Sequence, residues 1–209
     1  MICIKIPSER REIRKIDTAL YLTTGETGIY RFEVGDSPAL RQTDGYQPPG
    51  EAWDVATWGD YLYVASGEQG IWVGKRLPDG SFSTVNKVQT AGAARSISQA
   101  SLNGSSYLIV AAGRGLEIID IDQPERPTSV AFSEFYGRLG AVLELTMQNR
   151  SVYVAASNGV GIVDVSTPVN PQLTSLHELP TPALTLVNWQ SMLYVVDAEG
   201  LVRQLQRIE

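Results

Sequence analysis

The sequence predicts an all-β fold, a five-bladed β-propeller, and three observations carry that expectation. The first is a recurring phrase built on Leu-Tyr-Val. It appears as "ALYLTTG", "YLYVASG", "YLIVAAG", "SVYVAAS" and "MLYVVDA", with anchors at Tyr21, Tyr63, Ile109, Tyr153 and Tyr194, spaced 42, 46, 44 and 41 residues apart. The second is what surrounds each anchor. One apolar/polar alternation precedes it, and further alternations follow, separated by Gly, Pro, Asn and Asp. Such runs, rich in Val, Ile, Tyr and Trp, read as short strands joined by turns. The third is that no capped amphipathic helix of ordinary length can be found. Four strands in a repeat of 40–45 residues is the pattern of a propeller blade.

The elements follow in order. The inner strands are the alternations "REIRKID", "EAWDVATW", "AARSISQA", "AVLELTM" and "ALTLVNW". The Leu-Tyr-Val strand comes second. The third strand follows a glycine, as in "GIYRFEV", "GIWVGKR", "GLEIIDI", "GVGIVDV" and "GLVRQLQ". A more polar outer strand completes four of the repeats. The blades then cover about 11–44, 52–88, 93–135, 140–178 and 183–209, in one domain spanning 1–209. The fifth repeat lacks an outer strand, and the chain opens on a spare alternation, "MICIKIP". Residues 1–6 are therefore expected to complete the last blade and close the ring, removing two exposed sheet edges. The alternative is an open arc of blades stacked on a neighbouring domain.

Composition narrows the function classes. The 209 residues are 43% hydrophobic and 19% charged, enough for a core and against general disorder. The formal net charge is −6, which argues against a nucleic-acid partner. The lone cysteine, Cys3, excludes an internal disulfide framework, and the lone histidine, His177, excludes a histidine-rich metal site. Apolar runs are strand-sized, so membrane insertion is not expected. The N-terminus does not read as a signal peptide. As written the chain is expected in the cytoplasm, or outside the cell if it is excised from a larger surface protein.

Two stretches read almost alike: "IVAAGRGLEIIDIDQPERP" at 109–127 and "YVAASNGVGIVDVSTPVNP" at 153–171. They resemble the LVIVD family of β-propeller repeats, relatives of the YVTN type. The resemblance weakens at "YVASGEQGIWVGKRLPDGSF", where Lys75 replaces the acid, and weakens further in the first and last repeats. It implies a binding scaffold with no inherited catalytic residues and no cofactor; such repeats are mostly known from bacterial and archaeal surface or secreted proteins. Asp120 and Asp164, just before the Pro-x-x-Pro turns, are expected to cap those turns through backbone N–H groups.

Chemistry is expected at two places. Counting back from each anchor puts Glu12, Asp54, Ser96, Glu144 and Thr185 in one column of the inner strands. The carboxylates Glu12, Asp54 and Glu144 then face a central channel. They read as a solvated polar lining balanced by Arg14 or Lys15, as a calcium site, or as a glycosidase pair with a third tuning carboxylate. Short loops and a single histidine disfavour catalysis. The second place is the rim formed by loops entering the inner strands and loops after the anchors. Tyr46, Trp53, Arg114, Tyr136 and Arg138 are the candidate binding residues there, because Tyr, Trp and Arg suit binding hot spots. Trp58 and Trp189 share a column and are expected to pack between blades. The expected function is a non-catalytic module that presents one rim to a protein or peptide. The alternative is a carbohydrate-binding or glycoside-hydrolysing propeller using the channel carboxylates.

Overall fold

The computed structural model describes residues 12–34, 41–43, 45–135, 137–189 and 192–206. The first blade holds β1 (Glu12–Ile16), β2 (Ala19–Thr23), β3 (Ile29–Glu33) and β4 (Arg41–Gln42). The second holds β5 (Asp54–Trp58), β6 (Tyr61–Ala65), β7 (Ile71–Arg76) and β8 (Phe82–Val88). The third holds β9 (Ala94–Leu102), β10 (Ser105–Ala112), β11 (Gly115–Asp120) and β12 (Thr128–Glu134). The fourth holds β13 (Val142–Gln148), β14 (Ser151–Ala156), β15 (Gly159–Asp164) and β16 (Gln172–Glu178). The last holds β17 (Ala183–Trp189), β18 (Met192–Asp197) and β19 (Val202–Gln206). Each sheet is an antiparallel meander, strand pairing with the next strand in sequence. The five sheets form a five-bladed β-propeller. Among the described residues no helix is long and apolar enough to cross a membrane.

The blades bury their faces against one another, and this is where the core sits. On the inner strands, the residue after each channel position is aliphatic: Val55, Ile97, Leu145 and Leu186 are all buried. Val55 packs with Tyr21 and Ile29 of the first blade, and Ile97 with Tyr63 and Val73 of the second. Leu145 packs with Ile109 and Ile118 of the third, and Leu186 with Tyr153 and Ile162 of the fourth. Four apolar clusters thus join the five blades in series. Among the described residues no such cluster joins the last blade to the first. Ile13, the counterpart of those four aliphatics, is 59% exposed. On the last blade Trp189 is 64% exposed and lies near Tyr194, so it does not pack between blades as expected from the sequence. Trp58 is exposed as well. Both are the last residues of their inner strands.

The turns follow their residue chemistry. Asp120 Oδ1 accepts from the N–H of Asp122, and Asp164 Oδ1 from that of Ser166, both at 2.8 Å, so these aspartates cap the Pro-x-x-Pro turns. In the second blade Lys75 stands where the acid is, and its Nζ reaches Glu125 of the next blade's turn at 2.6 Å. A glycine opens the third strand of four blades. A Cβ at Gly70 would overlap the carbonyl oxygen of Val88, and one at Gly159 that of His177. The outer strand passes too close for any side chain. The last blade has Leu201 at this position, and among the described residues β19 pairs with β18 alone. The expected closing strand, residues 1–6, lies outside the described residues.

Candidate functional site

The inner-strand column converges as the sequence suggests. Glu12 pairs with Thr23, Asp54 with Ala65, Ser96 with Ala111, Glu144 with Ala155 and Thr185 with Val196, equivalent positions on the second strand of each blade. In the last three blades a register shift sits beside this position. Such a bulge re-aims a side chain at the end of a strand. All five residues line one open cavity of about 620 Å³ at the end of the channel where the inner strands begin.

The three carboxylates do not share one role. Asp54 is 1% exposed and fully engaged. Arg14 donates to it twice, Nε to Oδ1 at 2.9 Å and Nη2 to Oδ2 at 2.7 Å. The backbone N–H groups of Val55 and Ile97 and the Ser96 hydroxyl also donate to it. The N–H of Leu145 in turn donates to Ser96 Oγ at 3.3 Å. One carboxylate therefore ties together the inner strands of the first three blades and, through Ser96, the fourth. Burial works against the Arg14 charge, but the bond to Asp54 and the nearby carboxylates hold its pKa above the ordinary value.

Glu12 and Glu144 are left facing the cavity. Burial pushes the Glu144 carboxyl up to about 7. The Thr185 hydroxyl and Arg14 pull it down, while Glu12 and Asp54 push it further up. Glu12 is raised in the same direction, again mainly by burial, with Arg14 opposing. A carboxyl whose folded pKa is raised keeps its proton longer when folded, so stability falls as pH rises from about 4.5 towards 7 and then levels off. Glu144→Gln is expected to flatten that fall and to melt higher than the parent above pH 7. Melting curves of both proteins across pH 4–8 check this; parallel curves would contradict it.

The rim residues divide. Trp53 is half-buried on the approach to β5, and Arg95 lies over its ring with Cζ 4.9 Å from the centroid. This pair stands at the edge of the channel cavity and also lines a second cavity of about 420 Å³. That second hollow is formed by the approach to β5, the turn Ser66–Gln69 and the approach to β9. Arg95 is not among the rim residues singled out from the sequence; its position one residue before Ser96 is the available signal. Arg114 and Arg138 are exposed on the loops after β10 and β12. Tyr136 lies outside the described residues. Tyr46 is a correction. It is 5% exposed, with its hydroxyl 2.7 Å from Thr84 Oγ1 and its ring tilted against Phe82. Its backbone bridges to Ile29 in both directions, which turns the side chain into the seam with the second blade and away from solvent.

Among the described residues no three His, Cys, Asp or Glu side chains are grouped to hold a metal ion. The calcium reading of the column therefore finds no ligand set there, since Asp54 is already taken by Arg14.

Comparison with known proteins bears on the fold. The LVIVD repeat matches this chain at residues 49–73 and 151–176. No curated protein matches it. A functionally unknown protein from Desulfotomaculum acetoxidans DSM 771 is similar in structure, with a TM-score of 0.73, 13% identity, and coverage of 97% of this chain and 71% of that one. A protein from Lactobacillus plantarum has a TM-score of 0.68 and 15% identity, over 97% of this chain and 70% of that one. The computationally designed Ika8 protein has a TM-score of 0.69 and 12% identity over 96% of this chain. This chain spans 59% of the length of Ika8.

Proposed function

We propose that this propeller, with LVIVD repeats in two of its blades, is a non-catalytic binding module that takes a peptide or protein segment on the rim where the inner strands begin. One observation carries the reading: the stacked Trp53–Arg95 pair stands between two adjoining hollows of about 620 and 420 Å³. An aromatic face with a guanidinium fixed upon it offers apolar area and oriented donors together. The turn Ser66–Gln69 and the connector 89–93 beside it are short and held at both ends by strands, so little freedom is lost on association. Catalysis is disfavoured because the best-buried carboxylate of the channel column, Asp54, is locked by Arg14 and serves the fold.

The test begins with peptides selected from a displayed random library against the whole protein. Trp53→Ala and Arg95→Ala are each expected to weaken the selected peptides at least about tenfold, the range of a binding hot spot. Val169→Ser, on the Pro-x-x-Pro turn at the other end of the blades, is expected to leave affinity unchanged. Titration calorimetry reads all three. Normal binding by both rim variants, with loss in Val169→Ser, would mean that the opposite rim is the binding face.

A further inference from the structure

The smaller of the two hollows, about 420 Å³ between the turn Ser66–Gln69 and the approaches to β5 and β9, holds a polar group that the fold does not use. Ser66 is 3% exposed, and its Oγ finds no hydrogen-bond partner among the described residues. The equivalent position in the other blades shows what a side chain there does. In the first blade it is Thr24, whose hydroxyl donates to the Gly28 carbonyl. In the last it is Asp197, which accepts from the N–H groups of Glu199 and Leu201 and from Arg203 Nε. In the third and fourth blades it is Ala112 and Ala156, so the turn closes there without a polar side chain. The second blade buries a hydroxyl without a bond where alanine serves elsewhere. An unpaired buried hydroxyl costs stability, and alanine would avoid that cost.

A cation stands beside it. Gly67 and Ala94 exchange backbone hydrogen bonds at 2.8 and 2.9 Å, an antiparallel bridge that sets Arg95 across from Ser66. Arg95 is exposed, its guanidinium lies over the Trp53 ring, and among the described residues no carboxylate pairs with it. Stacking fixes the guanidinium plane and leaves its N–H fork for an acceptor. Gly67 makes room for the indole, since a Cβ there would stand 3.3 Å from Trp53 Nε1. Trp53, Ser66 and Arg95 all line the hollow. We propose that this hollow is a carboxylate pocket, in which the Arg95 N–H fork and the Ser66 hydroxyl donate to one carboxylate group of a bound peptide. The proposal rests on the rim reading above and adds the chemical class of the group recognised. Glu51 and Glu68 line the same hollow. Their charge disfavours a loosely held anion, so the pocket takes a carboxylate through matched, charge-assisted bonds, on a segment that is otherwise uncharged or basic.

Small probes test this on the whole protein: N-acetylglycylglycine against its C-terminal amide, and the N-acetyl methylamide of aspartate against that of asparagine. The first pair presents a chain-end carboxylate and the second a side-chain carboxylate, each beside its neutral counterpart. Titrations at constant pH and ionic strength are followed through the Trp53 indole N–H resonance, identified by its loss in Trp53→Phe. At least one carboxylate probe is expected to give a saturable shift and its neutral counterpart none; the pair that responds names the source. Arg95→Gln and Ser66→Ala are each expected to weaken that probe about tenfold, the loss of a charge-assisted bond. Ser66→Ala is also expected to melt no lower than the parent, since its hydroxyl bonds nothing in the fold. No shift with either carboxylate, or equal shifts with the neutral probes, would overturn the pocket. So would a Ser66→Ala protein that binds the probe normally or melts well below the parent. Silent probes beside selected peptides that depend on Trp53 would end the carboxylate pocket and leave the rim reading standing. Responding probes beside peptides that prefer the opposite rim would support the pocket and end the peptide reading alone.

Discussion

Asp54→Ala should unfold at markedly lower denaturant than the parent, with a loss of about 4 kcal/mol. The carboxylate is buried and receives both arms of Arg14, two backbone N–H groups and the Ser96 hydroxyl. Removing it leaves a guanidinium that is only 26% exposed without its partner. Breaking one side of a buried pair in this way typically costs about 3–5 kcal/mol, because the remaining charge stays desolvated. The orphaned N–H groups of Val55 and Ile97 add to the loss rather than set it. The comparison variant is Arg14→Met with Asp54→Leu. Removing both charges should recover a good part of the stability, since replacing a buried pair by apolar groups is often nearly neutral. Urea denaturation of the three proteins separates the cases. A single variant as stable as the parent would mean that the pair does not tie the blades together.

Gly159→Ala should be the most damaging of the conservative changes, at about 3–4 kcal/mol, combining backbone strain with overpacking. Its φ is +137°, where an L side chain is strained, and the added methyl would overlap the His177 carbonyl. To admit it, β16 must part from β15, and the pairing of Gly159 with Glu178 and Val160 with His177 is lost. Gly104→Ala isolates the strain alone. Its φ is +89° and a Cβ there meets nothing within 4 Å, so about 1–2 kcal/mol is expected. Equal losses at the two sites would remove the role assigned to close strand passage.

Much of this architecture was legible because the repeat forces it. A blade cannot bury two faces alone, so the anchors, the inner-strand aliphatics and the turn aspartates recur at matched positions, and the structure places them accordingly. The channel column was legible for the same reason: a polar residue before an aliphatic, five times over, with the aliphatic buried in four of the blades. Individual fates within a column were not. Asp54 and Glu144 occupy equivalent positions, yet one is clamped by Arg14 and the other faces open space, because Arg14 arises from the first blade alone. Tyr46 looked like an anchor on a loop, but its backbone bridge to Ile29 rotates it inward, a long-range pairing that no local pattern announces. Trp58 and Trp189 shared a column that suggested packing between blades, yet both are exposed. Arg95 gains its importance only from lying across the Trp53 ring.

The rim bearing Trp53 and Arg95 is the proposed binding face. Amide hydrogen exchange on the whole protein, with and without a peptide selected against it, tests this most directly. Slowed exchange is expected at 50–53, 66–69 and 93–95, the segments that enclose the two hollows. Protection confined to the Pro-x-x-Pro turns at 122–127 and 166–170, with the rim unchanged, would contradict it.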